Sequence, residues 1–261
     1  MRIDITTRDW HYLVKPVLPH VATDKELWWL QVVRFEPGTH ALYAVASDQQ
    51  TMGAERYRLD PGTHALYAGV PPVHILAAEV AGTLKMLRFD KDNDPELQLI
   101  IDRVPVALAS GSAVQSWGLT LYRPDDGFKL TLRDHRDPSR VITLDKWRKN
   151  LLAALTRPRG RSLDGLDIRG TVLGRFKDCA RGTERLRLFT GAEPGQPILL
   201  TVESHFAGLL AVPQYLDEPA ASRSELPWAA ELLPDGVTPD GEIYDATAGP
   251  DEPDETDEGD G

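Results

Sequence analysis

The chain has 261 residues, 41% of them hydrophobic, and one cysteine, Cys179; that length buries a sizeable core and suits two domains, while a lone thiol excludes a disulfide framework or a cysteine zinc cluster and fits a reducing cytoplasm. The formal net charge of −11 argues against a nucleic-acid partner only as an average. Residues 217–261 hold 15 acidic side chains and one basic, whereas residues 128–187 hold 16 basic and 7 acidic, so positive charge is gathered as a phosphate-binding surface requires.

Along the chain, Trp10, Leu13, Val14, Val17, Leu18 and Val21 repeat at the spacing of a buried helix stripe, with Arg8, His11 and Lys15 on another face. Pro16 and Pro19 predict that this first helix stops near Lys15. A second helix is expected from Pro71 and Pro72 onward, burying Val73, Leu76, Ala77, Val80, Leu84 and Leu87 and exposing Glu79, Thr83 and Lys85. The third starts at Asp145 as N-cap, with Trp147, Leu151 and Leu155 opposite Lys146, Lys149 and Arg157. The fourth spans roughly 169–181, burying Val172, Leu173, Phe176 and Cys179 or Ala180, and exposing Arg175, Lys177 and Arg181.

Alternating or β-rich runs bounded by Gly, Pro and Asp fill the intervals, at 27–36, 40–47, 54–60, 95–102, 117–124, 127–134, 184–191, 197–204 and 206–213. The segment PGTHALYA occurs at 37–44 and again at 61–68. The fold class expected is α+β, with antiparallel sheets carrying helices on one face. Residues 242–261 combine Pro, Gly and like charge with little apolar content, the composition of a disordered tail. Before them, Leu226, Trp228, Leu232 and Leu233 form an apolar island that reads as a strap on the core or as a docking peptide.

Catalytic and metal patterns are missing from the sequence. The histidines at 11, 20, 40, 64, 74, 135 and 205 form no HExxH pattern, and no phosphate-loop or dinucleotide glycine motif occurs. Ser110 lacks the GxSxG elbow. Asp90, Asp92 and Asp94 lack the glycine and distal glutamate of a calcium loop. Cys179 falls on an apolar helix face, the place of a buried thiol rather than a nucleophile. No cofactor and no enzyme activity are expected. There is no signal-like opening run and no stretch of about 18 apolar residues, so no membrane span is expected and cytoplasm is the compartment.

The order of strands and helices over 1–123 resembles the repeated βαβββ module of the DNA sliding clamps. Residues 1–59, with Ala46, Asp48 and Met52 in an Ala-x-Asp-x-x-x-Met cadence, are similar to the first half of a bacterial DNA polymerase III beta-subunit domain, and 185–214 to a clamp's last three strands. The arginine-rich composition fits an actinobacterial or actinophage type. The resemblance implies a DNA-clamp fold with a first domain at 1–123, a reduced second domain at 124–216 and the acidic tail at 217–261. The reduction is inferred from the short link, about 12 residues, between the third and fourth helices, where a complete domain has several strands; the runs at 117–124, 127–134 and 140–144 are candidates to replace them.

The resemblance further implies a non-enzymatic processivity factor, a homo-oligomeric ring that encircles double-stranded DNA without reading sequence and serves a DNA polymerase and a clamp loader. A trimer is favoured over a dimer. Arg8, Lys15, Lys146, Lys149, Arg157, Arg159, Arg175, Lys177 and Arg181 are then the DNA-facing residues. Leu210, Val212 and Pro213 match the terminal strand that contributes to the family's partner-peptide groove. A clamp-like adaptor that closes no ring is the alternative, and an enzyme with a site assembled from scattered residues is the third reading.

Overall fold

A computed structural model describes residues 1–38, 40–59, 69–107, 113–135, 143–156, 168, 170–191 and 195–211. Arg157, Arg159, Val212, Pro213, the second PGTHALYA copy, the apolar island and the acidic end lie outside the described residues.

Ile3 and Ile5 alternate with exposed Arg2 and Asp4, which makes β1 (Arg2–Thr6) a half-buried strand. Thr6 then caps α1 (Thr7–Val14): its hydroxyl accepts from the Asp9 amide at 3.1 Å, and the Asp9 carboxylate accepts from the Thr6 amide at 3.2 Å. The helix buries Trp10, Leu13 and Val14 and ends before Pro16, as its sequence predicts. Short 3₁₀ turns at Leu18–His20 and Lys25–Leu30 lead to β2 (Val32–Pro37), β3 (Ala41–Ser47) and β4 (Thr51–Arg58).

A second unit repeats the pattern as β5 (Val73–Leu76), α2 (Ala77–Met86), β6 (Glu96–Ala107), β7 (Ala113–Arg123) and β8 (Phe128–Arg133). The two βαβββ units exchange their first strands. β1 pairs antiparallel with β6, Ile3 opposite Leu99, to give the sheet order β1-β6-β7-β8; β5 pairs antiparallel with β2, Ile75 opposite Val33. Beyond β8 come α3 (Trp147–Thr156), α4 (Gly170–Leu173) and the strands β9 (Leu186–Phe189), β10 (Ile198–Val202) and β11 (Phe206–Leu210). β11 adds antiparallel to β4, so the second sheet runs β5-β2-β3-β4-β11-β10-β9.

The antiparallel α+β class is as expected, with several local differences. Pro71 and Pro72 precede a strand rather than a helix, because Val73 and Ile75 point into the core as alternate residues of β5. Residues Leu27–Leu30 form a 3₁₀ turn in place of the start of a strand. The fourth helix is a four-residue α-turn followed by a 3₁₀ turn at Gly174–Phe176, and Leu173 is exposed. Leu155 is also exposed, its expected place under α3 being taken by Ala154. The strands at 117–124 and 127–134 join β6 and β1 as the hairpin β7–β8, and a division at residue 123 would fall between these two paired strands. Thr143–Lys146, the described end of the run at 140–144 with the residues after it, is a 3₁₀ turn.

Candidate nucleic-acid interface

Strand alternation sorts the helices by face. On the long sheet, Val33, Phe35, Leu42, Ala44 and Ala46 join the core formed with α1, α2 and the inner face of the β1-β6-β7-β8 sheet. Trp10 stacks on Phe35 at 5.5 Å, and its indole N–H donates to the Thr83 hydroxyl of α2 at 2.8 Å, both buried. Val32, Val45, Met52 and Ala54 point the other way and pack with Leu144, Trp147 and Ala154. α3 therefore lies on the opposite face of the long sheet from α1, which departs from the expectation that the helices line one face.

α3 is stapled there by Glu36 of β2. That carboxylate accepts from Arg34 at 2.7 Å, from the Trp147 indole at 2.9 Å and from Arg148 at 2.6 Å. Burial works against its charge, but the three donors outweigh burial and hold the carboxyl below its ordinary value. Arg148 also lies over the rings of Tyr43 and Trp147, at 4.3 and 4.5 Å.

The segment 174–181 is on the face of α1. Phe176 packs on His20 at 4.6 Å, and Lys15 of α1 pairs with Asp178 at 3.0 Å. Arg8, Lys15, Arg175, Lys177 and Arg181 consequently gather on one side, and Lys146 and Lys149 project from the other; the described candidates do not form a single surface. Several also hold structural partners. Arg8 pairs with Asp94 at 3.5 Å and lies over Phe89. Arg175 binds the largely buried Asp48, which caps the β3–β4 turn through the Gln50 and Thr51 amides. Arg181 binds Glu55 at 2.6 Å and covers Tyr12. Lys146, Lys149 and Lys177 are exposed and have no ion pair among the described residues.

Glu55 anchors a polar cluster that the sequence did not suggest. Its carboxylate is fully buried and sits 2.9 Å from His205 Nδ1, while His205 Nε2 lies 3.0 Å from Glu184. A carboxyl group at each ring nitrogen favours the protonated ring, in which both nitrogens donate. The hydrogen bond to Glu55 leads in raising the His205 pKa, against the pull of burial. Burial raises the Glu55 pKa in turn, against its His205 and Arg181 partners. The cluster ties β4, the start of β11 and residues 181–184 together.

Of the groove candidates, Leu210 is described. It is buried opposite Thr51, with the Ala211 amide donating to Gln50 O at 2.7 Å, so the chain leaves the core beside the β3–β4 turn. Asp90 caps its own loop through the Asp92 and Asn93 amides. Cys179 is buried, and burial pushes its thiol far above its ordinary pKa.

Two residues missed in the sequence are Arg56 and Arg58 of β4. They lie outside the basic segment and on a strand, where neither local charge clustering nor a helical face marks them. With α1 and Arg181 they border a cleft of about 360 Å³.

No family model and no curated protein match the chain. Solved structures do. The sliding clamp of Bacillus subtilis superposes with a TM-score of 0.54 at 14% identity, covering 82% of this chain and 64% of that one. The Pseudomonas aeruginosa clamp gives 0.52 at 12%, covering 82% and 67%. The DNA polymerase III beta subunit of Thermotoga maritima gives 0.54 at 10%, covering 90% and 68%. The present chain thus spans about two thirds of these proteins' length, and 64% of the Bacillus clamp. Its fold is that of the DNA polymerase III beta-subunit sliding clamps.

Proposed function

We propose that the chain is a subunit of a DNA sliding clamp, a processivity factor that acts by binding and not by catalysis. The observation that carries this reading is the likeness of the exchanged βαβββ pair and its extended sheet to solved clamps over 82% of the chain. On this reading the subunits close head to tail into a homo-oligomeric ring around double-stranded DNA, a trimer being favoured over a dimer. A DNA polymerase and a clamp loader are its partners, and cytoplasm its compartment. No helix among the described residues is long and apolar enough to cross a membrane. Residues 1–133 supply one module with both sheets, and the β9–β11 strands supply the part of a second that extends β4.

The DNA-facing set narrows to the side of α1: Arg8, Lys15, Arg175, Lys177 and Arg181. Lys146 and Lys149 then face the rim. Such contacts attract phosphates without reading bases, which permits sliding.

Retention on nicked circular DNA tests encirclement. The protein is expected to stay on closed circles and to leave when the circle is cut; equal retention on both refutes a ring, as does a monomer by light scattering at every micromolar concentration. Reversing Lys15 and Lys177 to glutamate is expected to weaken duplex binding and flatten its salt dependence more than reversing Lys146 and Lys149. The opposite ranking would put α3 on the DNA side.

A further inference from the structure

We propose that the cleft beside the end of β4 is a site for a phosphoryl group, carried by a free nucleotide or by a nucleic-acid strand. The cleft arises from a step in the sheet. The pairing of β4 with β11 ends at Glu55 opposite Phe206, whereas the pairing of β4 with β3 continues to Arg58. The Arg56 amide still donates to His205 O at 2.9 Å, Tyr57 and Arg58 run on beyond that last bond to the hairpin, and α1 lines the other side with Tyr12. The resulting cleft, about 360 Å³, is in the size range of small-ligand sites.

Its charge is unbalanced in one place. Arg56 and Arg58 are two residues apart on one strand and project to the same side, a repulsive pairing. Their guanidinium groups are held at the hairpin tip by neutral acceptors, Arg56 by the Ser204 carbonyl and Arg58 by the Ser204 hydroxyl at 3.3 Å. Neither has a carboxylate partner among the described residues. The nearby acids are committed elsewhere: Asp9 to the cap of α1, Glu55 to Arg181 and His205, and Glu184 to His205. Arg181 also lines the cleft, but its guanidinium is committed to Glu55 and lies over Tyr12. Two oriented guanidiniums with no internal anion match the donor geometry that phosphoryl oxygens take.

The site does not depend on ring formation, and its test separates it from the clamp reading. Binding of adenosine monophosphate, adenosine, and a duplex oligonucleotide too short to be encircled is measured by titration calorimetry on the full chain and on R56Q/R58Q. Arg56 also holds the hairpin, so R58Q alone, at an exposed side chain touching only the Ser204 hydroxyl, serves where the double variant melts early. The phosphorylated probes are expected to bind, adenosine not, with a loss of about tenfold or more in the double variant, since two charge-assisted contacts disappear. Loss for the monophosphate assigns a free nucleotide; loss for the duplex alone assigns a strand. Equal affinity in the variants, or no phosphorylated probe bound by the wild type, overturns the site, whatever the circular-DNA experiment gives.

Discussion

At the scale of single residues, the least legible positions are polar side chains that serve the interior. Thr83 counts as polar in a helical pattern and is therefore assigned to the surface, yet it is fully buried and accepts the Trp10 indole hydrogen while donating to Val80 O at 2.6 Å. Thr83→Val keeps the shape and strands the indole N–H. It is expected to cost about 1–3 kcal/mol in urea unfolding, with Thr83→Ser close to wild type; equal stability of all three proteins would deny the bond its role. His20 is a second case. Its ring is buried against Phe176 and Phe206, both nitrogens lack hydrogen-bond partners among the described residues, and burial leads in lowering its pKa to about 3. Gly53 exists for that ring, since a Cβ there would collide with it. Gly53→Ala is expected to destabilise by about 1–3 kcal/mol through overpacking, measured by thermal or urea unfolding. Nothing in the sequence links residue 53 to residue 20, because the contact arises from how the turn after α1 crosses β4.

At the scale of elements, α1 and most strands were legible because periodicity alone defines them: one stripe at 3.6 residues, or alternation at two. The sequence places the start of α2 at Pro71 and Pro72 rather than at Ala77, because Val73–Leu76 satisfies both patterns and only the partner strand β2 decides between them. The weak fourth helix follows from Gly170 and Gly174, which interrupt an otherwise helical spacing. The seam between β4 and β11 was hidden altogether, since Glu55, Glu184 and His205 are far apart in sequence. That seam has a pH signature. The folded His205 pKa is raised, so its stabilisation is complete below the ordinary value of 6.5 and is lost as pH rises through the higher folded value. The raised Glu55 pKa acts in the same direction, because the folded state favours its proton. Amides of β11 are therefore expected to lose hydrogen-exchange protection, corrected for intrinsic rate, as pH climbs above 6.5, and Glu55→Gln should flatten that dependence. Protection that rises with pH over this range would contradict the imidazolium bridge.

At the scale of the whole molecule, composition located the positive charge but could not say which face bears it. The basic segment 128–187 contains both α3 and the 174–181 turn, and the sheet lies between them; topology separates residues that charge counting joins. Arg56 and Arg58 show the converse, being remote from that segment in sequence and beside Arg181 in space. Charge along the chain still makes one large-scale prediction. Removing residues 217–261 takes away 15 acidic groups and one basic, and changes the formal net charge from −11 to +3. If the acidic segment repels DNA through long-range electrostatics, the truncated chain binds duplex more tightly at low ionic strength. The gain should fade as salt shortens the screening length from roughly 10 Å at 0.1 M to about 3 Å at 1 M. The check is a pair of binding isotherms across that range. An advantage that persists undiminished at high salt would instead mean that the acidic segment acts by direct contact, and no gain at low salt would leave the mildly basic body without a part in attracting DNA.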